Sequence, residues 1–207
     1  MTLEKKFNPS VIEEFWYKNW EKNHYFEPSF KSQKSFSIQL PPPNVTGNLH
    51  MGHAFQQTLM DALIRFNRMK GLNTNWIVGT DHAGIATQIL VEKQLKSKGI
   101  NPKNLSREEL LEKIWDWKET SGIHITKQMR RLGVSANWTF ANESKDKSGY
   151  FTLDNSMSNT VIDVFVKLYN DGLIYKGERM INWDPLGLTA LSDEEVIHRE
   201  QQGHLWH

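Results

Sequence analysis

The chain has 207 residues, a formal net charge of +1, and 38% hydrophobic against 24% charged residues. That balance excludes a disordered chain and gives no overall electrostatic pull toward nucleic acid or a membrane surface. Cysteine is absent, which excludes disulfides and thiolate zinc sites and fits a reducing compartment. Lys5 and Lys6 precede no apolar stretch, and no window approaches the roughly 20 apolar residues of a membrane helix. A cytoplasmic protein with no membrane partner is therefore expected.

In chain order, Asn8-Pro9 reads as a cap followed by proline at the first helical position, opening a helix over 8–23. Ile12, Phe15, Trp16 and Trp20 are its expected apolar face. Phe36, Ile38 and Leu40 alternate with Ser37 and Gln39, the period of a half-buried strand. Pro41, Pro42 and Pro43 end it, because proline has no amide hydrogen to donate to a ladder. A loop over 44–49 leads into a strong helix. Its expected buried stripe is Phe55, Leu59, Ala62, Leu63, Phe66 and Met69, and Gly71 stands where a left-handed cap belongs. Trp76, Ile77 and Val78 form a strand ended by Gly79, and a helix follows over 85–98.

Strand, helix, strand at this spacing predicts a βαβ unit with a parallel sheet and a right-handed crossover. Ligands of such sheets sit beyond the carboxyl ends of the strands. The loops over 41–53 and 79–84 both leave such ends, so they are expected to meet. Further on, Ser106 and Glu109 form a capping box ahead of Leu110, Leu111, Ile114 and Trp117. Gly122 weakens the middle of that helix, and Ile125, Met129 and Leu132 continue its face to Gly133. A helix is expected over 155–170 with Val161, Val164, Phe165 and Leu168 inward, then a strand over 180–183. Leu205 and Trp206 stand just before His207 with no cap or polar tail, which reads as a cut through an element.

Chemistry concentrates at His50-Met51-Gly52-His53. Histidines three apart at a helix amino terminus share one side of the first turn, where unpaired amides already favour an anion. Imidazole donors there can follow charge onto a phosphoryl group under attack, and Gly52 leaves room for a flat base. The bland reading is a pair of surface histidines capping a helix. A metal reading lacks a carboxylate or cysteine at useful spacing, so no metal site is expected. Asp81, after Gly79-Thr80, reads as a turn residue. His82 reads as structural. Lys127, Arg130 and Arg131 read as a solvated helix face or a nucleic-acid contact.

The run from Pro41 through Asn44, Val45, Thr46, Gly47, Asn48 and Leu49 to His53 resembles the adenylation signature of class I aminoacyl-tRNA synthetases, in the form carried by valine–tRNA ligases. The block Gly79-Thr80-Asp81-His82-Ala83-Gly84-Ile85-Ala86-Thr87-Gln88 is similar to the same family. So is Asn182-Trp183-Asp184-Pro185 with Leu191-Ser192-Asp193-Glu194-Glu195-Val196, which resembles the family's entry into its editing insertion. The resemblance covers nearly the whole chain.

It implies that His50 and His53 stabilise the adenylation transition state. Thr46 and Gly52 would join them in binding ATP, and Asp81 would take the substrate's α-ammonium. Pro41, Pro42 and Asn44 would line the amino-acid pocket. The implied fold is the first part of a Rossmann-like, doubly wound parallel α/β sheet with additional helices. It divides into a helical segment (1–34), the first half of the catalytic domain (35–183) and the start of the editing insertion (184–207).

The implied substrates are ATP with Mg2+, L-valine and tRNA(Val), acted on by a monomer. No Lys-Met-Ser-Lys-Ser type loop occurs, and Asp184 and Gly187 stand where some relatives carry zinc-binding cysteines, so no zinc is expected. The chain is thus expected to be an amino-terminal part with an incomplete active site. The rivals are another nucleotidylyl transferase of the same superfamily and a non-catalytic remnant that binds tRNA or a partner.

Overall fold

The computed structural model describes residues 6–29, 31, 34–139 and 150–206. They divide into two compact units, Met1–Val161 and Ile162–His207.

In the first unit, helix α1 (Pro9–Lys22) has Pro9 at its first position. Strand β1 (Ser35–Gln39) follows, then α2 (Met51–Met69) and β2 (Asn73–Ile77). β1 and β2 pair in parallel, Ser35 against Asn73 through Gln39 against Ile77, so the expected βαβ unit forms. Gly71 takes the left-handed conformation, φ +80°, after the end of α2. Gly79 does not end the second strand. With Thr80 it forms β3, which pairs in parallel with β4 (Tyr150–Phe151). A Cβ on Gly79 would stand 2.3 Å from the Tyr150 carbonyl oxygen, so only glycine lets the two backbones come this close.

The Leu40 amide donates to Ile77 O (2.9 Å) and the Asn137 amide to Trp76 O (3.0 Å). These bonds and the β3–β4 pairing align the strands in parallel, with β1 on one side and Asn137 and β4 on the other. At two residues, β4 is too short for a periodic pattern to announce it. Helix α3 (Ile85–Ser97) and the long α4 (Arg107–Leu132) pack together. Ser106 and Glu109 form the capping box, α4 runs unbroken through Gly122, and Gly133 ends it at φ +86°.

The core joins Val45, Ile64, Trp76, Ile125, Met129 and Ala136, none more than 1% exposed, with Tyr17, Phe26 and Phe151 around them. Three of the expected inner faces are corrected here. In α1, Ile12, Phe15 and Trp16 are exposed and Tyr17 is buried; its hydroxyl donates to Val134 O (2.6 Å) and accepts from Trp138 Nε1 (2.9 Å). Arg130, set over the Trp138 ring at 4.0 Å, and Arg131 pair with Glu21 and Glu13 of α1 (2.8 Å each). Those two cations therefore hold helices together.

In α2, the stripe Phe55, Leu59, Leu63, Phe66 and Met69 is 51–81% exposed, while Gln57 and Ile64 are buried. The inner face is largely polar. Asp61 accepts from Arg65 (2.6 Å) and from the Ser135 amide (2.9 Å), and Arg65 also donates to Gly133 O (2.7 Å). Directed bonds to the 133–135 segment, satisfied in a half-buried setting, decide which side faces in. In α4, Ile125 and Met129 are buried as expected, but Leu111 and Leu132 are exposed.

The second unit holds most of α5 (Asn155–Asn170), whose bounds match expectation. Val161, Val164 and Phe165 nevertheless stay at least half exposed. The expected strand over 180–183 is a hairpin, β5 (Asn182–Asp184) antiparallel to β6 (Thr189–Leu191). No described residue after Val161 is buried. Among the described residues, no helix is long and apolar enough to cross a membrane.

Candidate active site

The prolines after β1 cannot donate, but their carbonyls can accept, and the chain uses this. The Asp81 amide donates to Pro43 O (2.8 Å), and the Val45 amide donates to Asp81 O (2.9 Å). Asn44 and Asp81 thereby form a parallel bridge. The two loops expected to meet are thus paired residue against residue, beyond the carboxyl ends of β1 and β3. Helix α4 fixes the first loop from outside. Trp117 Nε1 donates to the carbonyl of fully buried Val45 (2.7 Å), and Gln128 Oε1 accepts from the Leu49 amide (2.9 Å).

Pro41, Pro42 and Asn44 are exposed, Pro43 is buried and Thr46 is half-buried. Pro42 helps to line a cavity of about 270 Å³ with Leu40, Val78, Gly79, Thr152 and Met157. This apolar hollow suits a small aliphatic group; Pro41 and Asn44 are not among its walls.

The loop ends in His50, whose extended backbone (φ −117°, ψ 175°) caps α2. His50 Nδ1 accepts from the Gly52 amide (3.1 Å), and His53 Nδ1 accepts from the His50 amide (3.2 Å). An imidazole nitrogen that accepts an amide hydrogen carries no proton, so in each neutral ring the proton sits on Nε2. The rings lie 3.9 Å apart, centre to centre. Burial, and then the neighbouring His50, hold the His53 pKa below the ordinary histidine value. In the tautomer these bonds select, the helix start presents two Nε2–H donors beside backbone amides that favour an anion. At Gly52 a Cβ would meet His50 Cε1 at 2.9 Å, so the His50 ring takes up the space of the missing side chain.

Asp81 is half-buried. Its Oδ2 accepts from the Ala83 amide (3.2 Å) and its Oδ1 from the Thr152 hydroxyl (2.9 Å). The first bond is an Asx turn, so the structural reading of this aspartate is realised. The turn it supports is strained, with Ala83 at φ +54° and Gly84 at φ +48°, a conformation that costs about 1 kcal/mol or more for a residue with a Cβ. Strain of this kind persists where the surroundings over-determine it. Among the described residues no lysine or arginine pairs with Asp81; His82 Nδ1 is 3.5 Å from Oδ1. A carboxylate with two in-chain donors keeps lone pairs for a cation.

The roles of Thr152, Gln128 and the Trp117 indole N–H are not legible locally, because each acts across about 70 residues or more. The only signal near Thr152 was the aromatic and β-branched run Tyr150-Phe151-Thr152, a short strand pattern. Among the described residues, no group of three or more His, Asp or Glu could hold a metal ion.

Comparison with known proteins places the chain in a family. The chain is 58% identical over 203 residues to valine–tRNA ligase of Neisseria meningitidis serogroup B (strain ATCC BAA-335 / MC58), covering 98% of this chain and 21% of that protein. It is 53% identical over 205 residues to valine–tRNA ligase of Psychrobacter arcticus, covering 99% and 20%. Among solved structures, the agnB2 LeuRS of Agrobacterium radiobacter K84, crystallised as a ternary complex with tRNA and LeuAMS, matches with a TM-score of 0.70 at 22% identity. That match covers 93% of this chain and 22% of LeuRS, and it shows that the fold is shared. The chain spans about a fifth of the length of these relatives. Residues 15–205 match the model for tRNA synthetases class I (I, L, M and V), and the chain belongs to that family.

Proposed function

We propose that these residues form the ATP- and amino-acid-binding half of a valine–tRNA ligase active site. The observation that carries the reading is the pairing of Pro43, Asn44 and Val45 with Asp81. It ties an amine-binding carboxylate to the loop that ends in His50 and His53. Asp81 receives the α-ammonium of L-valine and so aims the substrate carboxylate at the α-phosphorus of ATP. Pro41, Pro42 and Asn44 face the amino acid, while Thr46, Gly52, His50 and His53 face the nucleotide.

A valine carboxylate oxygen attacks the α-phosphorus, a P–O bond forms, and pyrophosphate leaves with the electron pair of the broken bond. The two Nε2–H groups donate to oxygens whose charge grows in that transition state. Magnesium enters with ATP as part of the substrate. In the complete protein, a ribose hydroxyl of tRNA(Val) then attacks the valyl carbonyl and AMP departs.

The choice of valine rests on relatives named valine–tRNA ligase at 53–58% identity. We further infer a monomer in the cytoplasm, divided as 1–34, 35–183 and 184–207. Threonine is nearly isosteric with valine and a hydrophobic pocket rejects it poorly, so an editing activity elsewhere in the protein is needed.

The test is valine-dependent exchange of pyrophosphate into ATP by the complete protein that carries these residues. His50→Ala and His53→Ala should each slow exchange on the order of 10²–10³-fold with valine KM little changed, whereas Asp81→Ala should raise valine KM. Exchange indifferent to valine overturns the reading. The 207 residues alone should bind both substrates weakly and not charge tRNA; turnover close to that of the complete protein would refute their incompleteness.

A further inference from the structure

Asp81 is one end of a chain of three polar side chains. The Thr152 hydroxyl donates to Asp81 Oδ1 at 2.9 Å. The same oxygen lies 3.0 Å from the His82 amide nitrogen and 2.6 Å from His82 Nδ1. A threonine hydroxyl has one hydrogen and two lone pairs. Its hydrogen goes to the carboxylate, so both lone pairs are acceptors, and His82 Nδ1 must carry a proton to fill the second. The chain has one direction only, from Nδ1–H to Oγ1–H to Oδ1.

Its members are held by separate elements. The Thr152 amide donates to Thr80 O (3.2 Å), extending the β3–β4 pairing by one residue. The His82 carbonyl accepts from Thr87 Oγ1 (2.7 Å) in α3, and the His82 ring meets Phe151 edge-on at 6.4 Å. An aspartate carboxyl turns easily about its last bond. With Oδ2 held by the Ala83 amide and Oδ1 by Thr152, that rotation is stopped from two sides.

We propose that Thr152 and His82 are positioning residues that fix the Asp81 carboxylate for a substrate ammonium group, with Thr152 relaying the orientation of His82. This rests on the reading of Asp81 as the ammonium ligand. His82 does not line the cavity beside Pro42; Thr152 does, and the role proposed for it is that of its hydroxyl on Asp81. Their effect is to spare the carboxylate an ordering cost when the amine binds, which is where preorganisation gains affinity.

Thr152→Val keeps the shape and removes the hydroxyl. In the complete protein it should raise the KM for the amino acid in pyrophosphate exchange about tenfold, as expected when a carboxylate loses a hydrogen bond. The KM for ATP and the melting temperature should stay unchanged, which a merely structural role would not predict. Thr152→Ser should restore wild-type values. His82→Asn, whose amide nitrogen stands where Nδ1 stands, should keep most of the function that His82→Leu loses. In an Asp81→Ala background, Thr152→Val should add nothing further.

An amino-acid KM within twofold of wild type in Thr152→Val, or an equal rise in ATP KM, overturns the proposal. Nitrogen NMR of the His82 ring gives a readout apart from activity: the Nδ1–H form in wild type, lost in Thr152→Val. Wild type in the Nε2–H form overturns the relay even if exchange is normal. The Nδ1–H form without amino-acid-dependent exchange overturns the role of Asp81 instead, and with it any positioning role.

Discussion

Residues 6–161 and 162–206 both carry apolar side chains at helical spacing, yet only the first stretch has an interior. Ile64, Trp76 and Ile125 are completely buried, whereas Ile162, Val164 and Phe165 are 50–59% exposed and no described residue after Val161 is buried. Helix α2 repeats the contrast within 19 residues, with Ile64 sealed and its neighbour Leu63 51% exposed. Periodicity identifies the face that gains by burial. Whether a covering surface exists within the same 207 residues is a separate matter, and the relatives are far longer than this chain.

The sharpest way to break the comparison is to truncate the two neighbours on α2. Ile64→Ala should cost about 2–5 kcal/mol, because a large buried side chain leaves a cavity that its surroundings fill only in part. Leu63→Ala should change stability by less than about 0.5 kcal/mol, as surface substitutions usually do. Denaturant unfolding of both variants of this chain measures the difference. Equal losses would mean that the outer stripe is covered in solution.

These two residues also mark how far the sequence could be read. The βαβ unit, the α4 capping box, Gly71 and Gly133 at helix ends, and the meeting of two loops all followed from local chemistry and period. The inner face of α2 did not, because the partners that draw Asp61, Arg65 and Arg68 inward, Gly133 and Ser135, lie 67–74 residues away. Tyr17 was likewise passed over in favour of Ile12, Phe15 and Trp16, since nothing local announces Val134 and Trp138, more than 110 residues away. At the candidate site, His50, His53 and Asp81 lie in contiguous motifs and were legible. Thr152 was not, because its meaning comes from the strand pairing that sets it beside Asp81.

A middle-sized effect is expected at Tyr17, where burial is joined to hydrogen bonding. Tyr17→Phe leaves the Val134 carbonyl and the Trp138 N–H without their buried partner, at a cost of about 1–3 kcal/mol. Burial, the largest cause, and the nearby Glu21 and Asp61 charges push the phenol upward, against a lowering by the Trp138 hydrogen bond and Arg130. A folded pKa raised above the unfolded one gives stability that is fully present below the ordinary phenol value near ~10 and lost as pH rises beyond it. The stability gap between wild type and Tyr17→Phe should therefore narrow on alkaline titration. A gap that widens would show that the phenol ionises more readily in the folded chain than in the unfolded one.

The smallest effect belongs to His53, which is neither interior nor fully exposed. Its pKa is lowered, first by burial and then by His50, so the folded chain binds fewer protons there than the unfolded chain. Stability from this source is present above the ordinary histidine value of about 6.5 and fades as pH falls through the folded value. The cap gives the same sign, because protonating His53 Nδ1 removes the acceptor of the His50 amide. Proton NMR should find His53 titrating below free histidine, and His50→Ala should bring it back only part of the way, since burial is the larger cause. Full recovery would assign the shift to the imidazole pair alone. A midpoint at or above the free value would mean that the rings are not stacked on the helix start, and the two-donor geometry offered to a phosphate would go with them.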